Sequence, residues 1–263
     1  MMFGLCAAIG PRTLATLKGF SLVKKHLALL AALLAITAAS IHSLAQSAPS
    51  SKPAFIVDAP AERIPNLDSL KAKVKQYHDC TCTCGCYTHD LDLQADRAIA
   101  FLRRRAAHSA PHQKLAMVLD IDETSLSNYQ EMLAADFAYN TTAFDAWVNT
   151  AQAPAIPGTL RLYRESQRLG VSVFFITGRP EQQRAATERD LTTQGFQNWQ
   201  QLTLRQPSET SETAEVYKSH ARAQIVAQGY KIVLNVGDQW SDLKGKPEAE
   251  LSVKYPDPFY FLK

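Results

Sequence analysis

Four groups of residues in this chain have types and spacings suited to chemistry. The run Val118-Leu119-Asp120-Ile121-Asp122-Glu123-Thr124 sets two carboxylates two residues apart, directly after an apolar stretch. Charge is costly to bury, so a carboxylate pair at the end of a core strand needs a reason. Asp120 can attack phosphorus while Asp122 protonates the leaving oxygen and later activates water. The bland alternative is an acidic turn that caps a helix. Val173-Phe174-Phe175-Ile176 runs into Thr177-Gly178-Arg179, which offers a hydroxyl and turn amides to phosphoryl oxygens. Lys218 opens a helical stretch after a polar loop and can neutralise charge on a transferred group; alone it would read as a surface lysine. Leu234-Asn235-Val236 leads into Gly237-Asp238-Gln239-Trp240-Ser241-Asp242, a second acidic pair that suits a hard cation with oxygen ligands.

The elements that must position these groups are legible from periodicity. Leu115–Leu119, Val171–Ile176, Leu202–Leu204 and Ile232–Val236 are short apolar runs that predict strands, and 158–169, 181–194 and 213–228 predict helices between them. Gly195 and Gly229 fall where helices should stop, and Pro157-Gly158 where one should start. Alternation of this kind predicts an α/β protein with a parallel sheet, and open parallel sheets hold ligands at the carboxyl ends of their strands. All four chemical groups lie at or near such ends.

Upstream, Leu67, Leu70, Val74 and Tyr77 recur at helical spacing, as do Leu91, Ala95, Ile99 and Leu102. Two N-terminal helices therefore bracket Cys80-Thr81-Cys82-Thr83-Cys84-Gly85-Cys86. In an oxidising compartment these four cysteines form disulfides, in one of three pairings; the competing reading is a thiolate site for Zn²⁺ or Cu⁺ helped by His78 or His89. Arg103, Arg104 and Arg105 read as cations solvating a helix end.

The first 45 residues carry Arg12, Lys18, Lys24 and Lys25, no acid, and an apolar run from Leu27 to Ala39, the pattern of a signal peptide with cleavage expected after Ala45. The apolar stretch is short for a membrane span, so export to the periplasm or the medium is expected, with no stable span if the leader is cleaved and an N-terminal anchor as the alternative. The whole chain's net charge of +3 includes those four leader cations, which leaves 46–263 near −1 and implies no surface for a nucleic-acid polymer. Residues 46–64, rich in Ser, Ala and Pro, predict a flexible lead-in, and 65–263 one catalytic domain.

The order of these motifs resembles the haloacid dehalogenase superfamily. The stretches Leu119–Tyr129, Ile176-Thr177-Gly178-Arg179-Pro180 and Asn235–Leu243 further resemble its acid phosphatase subfamily, which includes plant vegetative storage proteins and bacterial class C acid phosphatases. The resemblance covers about residues 65–263 and implies a Rossmann-like three-layer core with a small helical cap insertion, here about 125–157. It also implies one Mg²⁺ and a covalent aspartyl-phosphate intermediate in the hydrolysis of a small phosphomonoester. By motif position Asp120 is nucleophile and metal ligand, Asp122 the general acid and base with its carbonyl on the metal, Asp238 the second carboxylate ligand, and Asp242 either a ligand or an orienter of the shell. Thr177, Gly178 and Lys218 fall to phosphoryl binding. Mn²⁺ or Co²⁺ are expected to substitute for Mg²⁺.

Tyr129, Phe137, Tyr139, Phe144 and Trp147 cluster in the insertion, where each is read first as core and second as a surface for a flat leaving group. Two other functions remain open: transfer of the phosphoryl group to an alcohol, and a storage or binding role on the same fold. Asp120 and all its partners are present, which favours an enzyme.

Overall fold

The computed structural model describes residues 64–82 and 85–262. The expected leader, the lead-in up to residue 63, and Cys84 lie outside the described residues. The described chain opens with helices α1 (Leu67–Asp79) and α2 (Tyr87–Ala107), which flank the cysteine run as expected. Strand β1 (Leu115–Leu119) follows, and then an insertion with α3 (Tyr129–Ala134) and α4 (Thr141–Thr150). The remainder alternates: α5 (Pro157–Arg168), β2 (Ser172–Pro180), α6 (Arg184–Thr193), β3 (Gln201–Arg205), α7 (Ala214–Ala227), β4 (Lys231–Gly237), the short α8 (Trp240–Leu243) and β5 (Leu251–Lys254).

The five strands form one parallel sheet in the order β3-β2-β1-β4-β5. The chain leaves central β1 toward β2 on one side and returns to β4 on the other. The carboxyl ends of β1 and β4 thus bound a topological switch point, where such sheets hold ligands.

All five residues of β1 are buried, because helices cover both faces of the sheet. Its side chains alternate between two cores. Leu115, Met117 and Leu119 join Leu102 of α2, Leu162 of α5 and Leu191 of α6. Ala116 and Val118 join Tyr217, Ala221 and Ile225 of α7. This explains why the strand reads as an unbroken apolar run, and it gives the expected three layers.

Three features depart from the sequence reading. Strand β2 continues through Thr177, Gly178 and Arg179 to Pro180, residues expected in a turn. Its pairing with β3 shifts register between Ile176 and Pro180, so the extension is an irregular strand end that aims Thr177 and Arg179 inward. The span 181–194 divides into a short 3₁₀ turn, Glu181–Gln183, and α6. Strand β5 was not anticipated: it has four residues, and only Val253 among them is buried, which leaves almost no apolar signal.

Helix α1 shows the limit of its apolar stripe. Leu67 and Leu70 are exposed at 64% and 38%, while Tyr77 at its far end donates a 2.6 Å hydrogen bond to Asp90 of α2 and holds the hairpin together.

Candidate active site

Asp120 is the first residue beyond β1, and its amide still donates to Val236 O of β4 at 3.1 Å. The chain then tightens: the amides of Thr124, Ser125 and Leu126 all converge on Ile121 O, and Glu123 takes a left-handed φ of 55°. Ser125 Oγ donates to Asp120 O at 2.6 Å, which fixes the loop that carries both carboxylates. Asp120 is only 6% exposed.

Lys218, in the second turn of α7, lies between two carboxylates. Its Nζ is 2.5 Å from Asp120 Oδ1 and 2.5 Å from Asp242 Oδ1. Burial alone would lower the lysine pKa, but these two carboxylates outweigh it and hold the group as an ammonium. Among the described residues no donor bonds Asp120 Oδ2, so that oxygen is available to a substrate.

At the end of β4, Asp238 accepts from Thr124 Oγ1 at 2.8 Å and from Gln239 Nε2 at 2.8 Å. Asp242 Oδ2 accepts the amide of Gln239 at 2.8 Å, closing a capping box on α8. Gly237 permits this close return of the chain, since a Cβ there would stand 2.3 Å from the Asp242 side chain. Arg222 Nη1 and Asn235 Nδ2 both donate to Asp242 O, at 2.7 and 2.9 Å.

Carboxylate oxygens of Asp120, Asp238 and Asp242 lie within 4.8 Å of one another, all buried. Burial, then the neighbouring Asp242 and Asp257, push Asp238 up to about 8. Burial also raises Asp120 well above the ordinary carboxylate range, against the pull of Lys218. Three buried anions at this spacing are costly unless a cation joins them, and an all-oxygen donor set fits a hard dication.

Asp122 has a different environment. Arg179 forks onto it, with Nη2 at 2.7 Å from Oδ1 and Nε at 3.0 Å, and Asn128 Nδ2 adds a bond at 2.9 Å. Burial works to raise its pKa, but Arg179 outweighs burial and holds the carboxyl below the usual range. Thr177 Oγ1 lies 3.4 Å from Asp122 Oδ2 and accepts the Arg179 amide at 3.1 Å, and Tyr217 OH donates to Thr177 O.

The structure therefore brings Asp120, Asp122, Thr177, Lys218, Asp238 and Asp242 together at the strand ends. Gly178 sits beside them on the exposed edge of the β2 extension. In the cysteine run, Cys80 and Cys86 are joined through their sulfurs, and Cys82 Sγ lies 3.1 and 3.3 Å from those two sulfurs.

The sequence reading assigned no role to Glu123, Asn128, Arg179 or Gln239. Glu123 is buried and accepts both the amide and the Nδ2 of Asn128, at 2.5 and 2.9 Å, while Trp147 Nε1 donates to Asn128 Oδ1 at 2.9 Å. The signal for Arg179 was its place two residues after Thr177 on a strand end; for Glu123 and Asn128 only their adjacency to the first motif was visible.

A family profile described as HAD superfamily, subfamily IIIB (acid phosphatase) matches residues 37–263. The chain belongs to this subfamily. Among curated relatives of this subfamily IIIB chain, acid phosphatase 1 of Solanum lycopersicum is 40% identical over 148 residues, covering 55% of this chain and 58% of the relative. The stem 28 kDa glycoprotein of Glycine max is 39% identical over 157 residues, 58% of this chain and 62% of the relative. Vegetative storage protein 1 of Arabidopsis thaliana is 30% identical over 204 residues, 75% and 73% of the two chains. The match thus spans about 60% of the length of the first two relatives. The class C acid phosphatase of Bacillus anthracis with tungstate bound superposes with a TM-score of 0.61 at 22% identity, over 74% of this chain and 86% of that one; it shares the HAD-like fold.

Proposed function

We propose that this subfamily IIIB chain is an exported phosphomonoesterase that requires Mg²⁺ and works through an aspartyl-phosphate on Asp120. The observation that carries this reading is the division of the two motif carboxylates: Asp120 beside Lys218, with one oxygen free of donors, and Asp122 held apart by Arg179.

Asp120 Oδ2 attacks phosphorus, and the bond from phosphorus to the ester oxygen breaks, its electron pair leaving with that oxygen. Asp122 supplies the proton to the oxygen as it departs. Thr177 Oγ1 and the Gly178 amide hold phosphoryl oxygens, and Lys218 offsets charge gathering on the transferred group. In the second step Asp122 takes a proton from water, the hydroxyl attacks phosphorus, and Asp120 leaves as a carboxylate. Asp122 is ionised at rest, so it must gain a proton before the first step; an arriving phosphate anion raises its pKa and promotes that gain.

A Mg²⁺ held by Asp120, Asp238 and the carbonyl of Asp122 would supply charge neutralisation between the anionic site and an anionic ester. Asp242 is bonded through both oxygens, to Lys218 and the Gln239 amide, and Asp238 through both of its own, to Thr124 and Gln239, so hydrogen bonding does not separate the two and Asp242 stands either as a ligand or as an orienter of the shell. Purified protein is expected to hydrolyse p-nitrophenyl phosphate, to lose turnover in EDTA and to regain it with Mg²⁺; full turnover in chelator would overturn the metal assignment.

The storage names among the relatives keep a non-catalytic role as the rival, and the complete set of partners around Asp120 supports chemistry over it. Export rests on the basic and apolar leader, and among the described residues no helix is long and apolar enough to cross a membrane. For the cysteine run we favour a disulfide staple of the hairpin. The convergence of Cys80, Cys82 and Cys86 sulfurs keeps a soft-metal site as the second reading.

A further inference from the structure

After β5 the chain runs without regular structure from Pro256 to Leu262, and at the active site Gln239 bonds it. Gln239, only 4% exposed, follows the carboxylate Asp238 directly. Its Nε2 donates to Asp238 Oδ2 at 2.8 Å and also to Asp257 Oδ2 at 2.5 Å and Tyr260 O at 3.4 Å, while its Oε1 accepts the Leu262 amide at 3.1 Å. Within the strap, the Phe259 amide donates to Asp257 Oδ1 at 2.8 Å. A single buried amide therefore binds the C-terminal segment at three points and a site carboxylate at a fourth.

The other side of the strap is held by aromatic packing. The Phe259 ring contacts Tyr129 and Phe137 of the insertion, at 5.4 and 6.3 Å between centroids, and Tyr87 of α2 at 5.2 Å. Tyr129 adjoins Asn128, the residue that bonds Asp122 and Glu123. The strap thus spans from the Asp238 side of the site to the insertion on the Asp122 side, where a leaving group would depart.

We propose that residues 256–262 form the specificity wall of this site, latched by Gln239 and seated by Phe259, so that phosphomonoesters with small leaving groups enter and phosphoesters carried on proteins are excluded. The proposal rests on the phosphatase reading above and adds what limits its substrates. Gln239 and Phe259 act here as positioning residues, through the strap, and neither is assigned a part in bond making.

The test uses the full chain and two variants, Gln239→Met, which keeps the length but removes every latch bond, and Phe259→Ala, which leaves Gln239 and Asp238 untouched. Two readouts are needed. Hydrogen exchange followed by mass spectrometry reports on the Phe259 and Leu262 amides. The ratio of kcat/KM for p-nitrophenyl phosphate to that for a phosphoserine peptide reports on discrimination. We expect faster exchange across 256–262 in both variants, and a fall in the ratio of roughly tenfold, expressed mainly as a lower KM for the peptide.

A folded variant whose strap exchanges faster while the ratio stays unchanged would overturn the wall. Unchanged exchange in Gln239→Met would overturn the latch. If the unaltered chain hydrolyses neither ester, the phosphatase reading fails and the wall with it, whereas exchange judges the latch alone. A general loss of turnover in Gln239→Met, through its contact with Asp238, cancels in the ratio, and Phe259→Ala repeats the measurement without that contact.

Discussion

Arg179 Nη2 donates to Asp122 Oδ1 at 2.7 Å, and Nε donates to the same carboxylate, in a fork whose guanidinium is almost wholly buried. Bidentate pairs of this kind fix geometry as well as charge. The pair sets Asp122 apart from Asp120, whose own cation is Lys218.

From that separation comes the first prediction. Asp122→Asn keeps the nucleophile but cannot protonate a leaving oxygen, a loss typically of about 10²–10⁴-fold. In single-turnover measurements an alkyl phosphate should suffer most and p-nitrophenyl phosphate least, because its phenolate departs unaided. Equal losses in the first step would refute the role of Asp122.

Asp190 gives a pH prediction outside the reaction. Burial pushes its carboxyl up to about 6, against the pull of Arg179. Asp190 Oδ2 accepts the Ala153 amide at 3.3 Å, and its buried Oδ1 has no hydrogen-bond partner among the described residues. The folded chain therefore binds this proton more tightly than the unfolded chain, whose pKa is near 3.8. The contribution to stability is fully present below that value and is lost as pH rises through about 6. Asp190→Asn should remove this part of the pH dependence, so that its melting temperature relative to the unaltered chain rises between pH 4 and pH 7. A difference that is flat across that range would contradict the assignment.

The disulfide between Cys80 and Cys86 closes a short loop, with six residues of separation. Chain entropy puts its worth at about 2 kcal/mol. Replacing both cysteines with serine should lower the melting temperature and leave turnover detectable, since neither cysteine is assigned a part in the proposed reaction. Mass spectrometry without reductant should find the linked peptide. Recovery of free thiols together with a bound zinc or copper ion would favour the thiolate site instead.

The sequence made the central strands and the motif carboxylates legible for one physical reason. A parallel strand covered on both faces must be apolar throughout, so Leu115–Leu119 and Ile232–Val236 stand out, and charge at their ends is conspicuous. Edge strand β5 carries no such signal, because it buries little. The partners Arg179, Asn128 and Gln239 were hidden for another reason: their roles depend on which carboxylate each reaches after folding, and neighbours in sequence say nothing of that. The apolar run ends at Ile176, so Thr177-Gly178-Arg179 read as a turn, whereas β2 continues with a shifted register to Pro180 and buries Thr177 on an irregular strand.

The aromatics of the insertion divide along the same line. Tyr129 and Phe137 enter the cluster around Phe259, and Trp147 bonds Asn128, but Tyr139 remains 76% exposed beside Phe144. Helical spacing alone could not separate them, since each sits on a short helix or its flank and tertiary contact decides the outcome.

The covalent step is the centre of the account, and it can be read directly. Protein quenched in acid during turnover of a phosphomonoester, then digested and mapped by mass spectrometry, should carry a phosphoryl group on Asp120 that hydroxylamine removes, and Asp120→Asn should carry none and turn over no ester beyond background. A phosphoryl group mapped to any other residue, or a burst of product from Asp120→Asn, would contradict it.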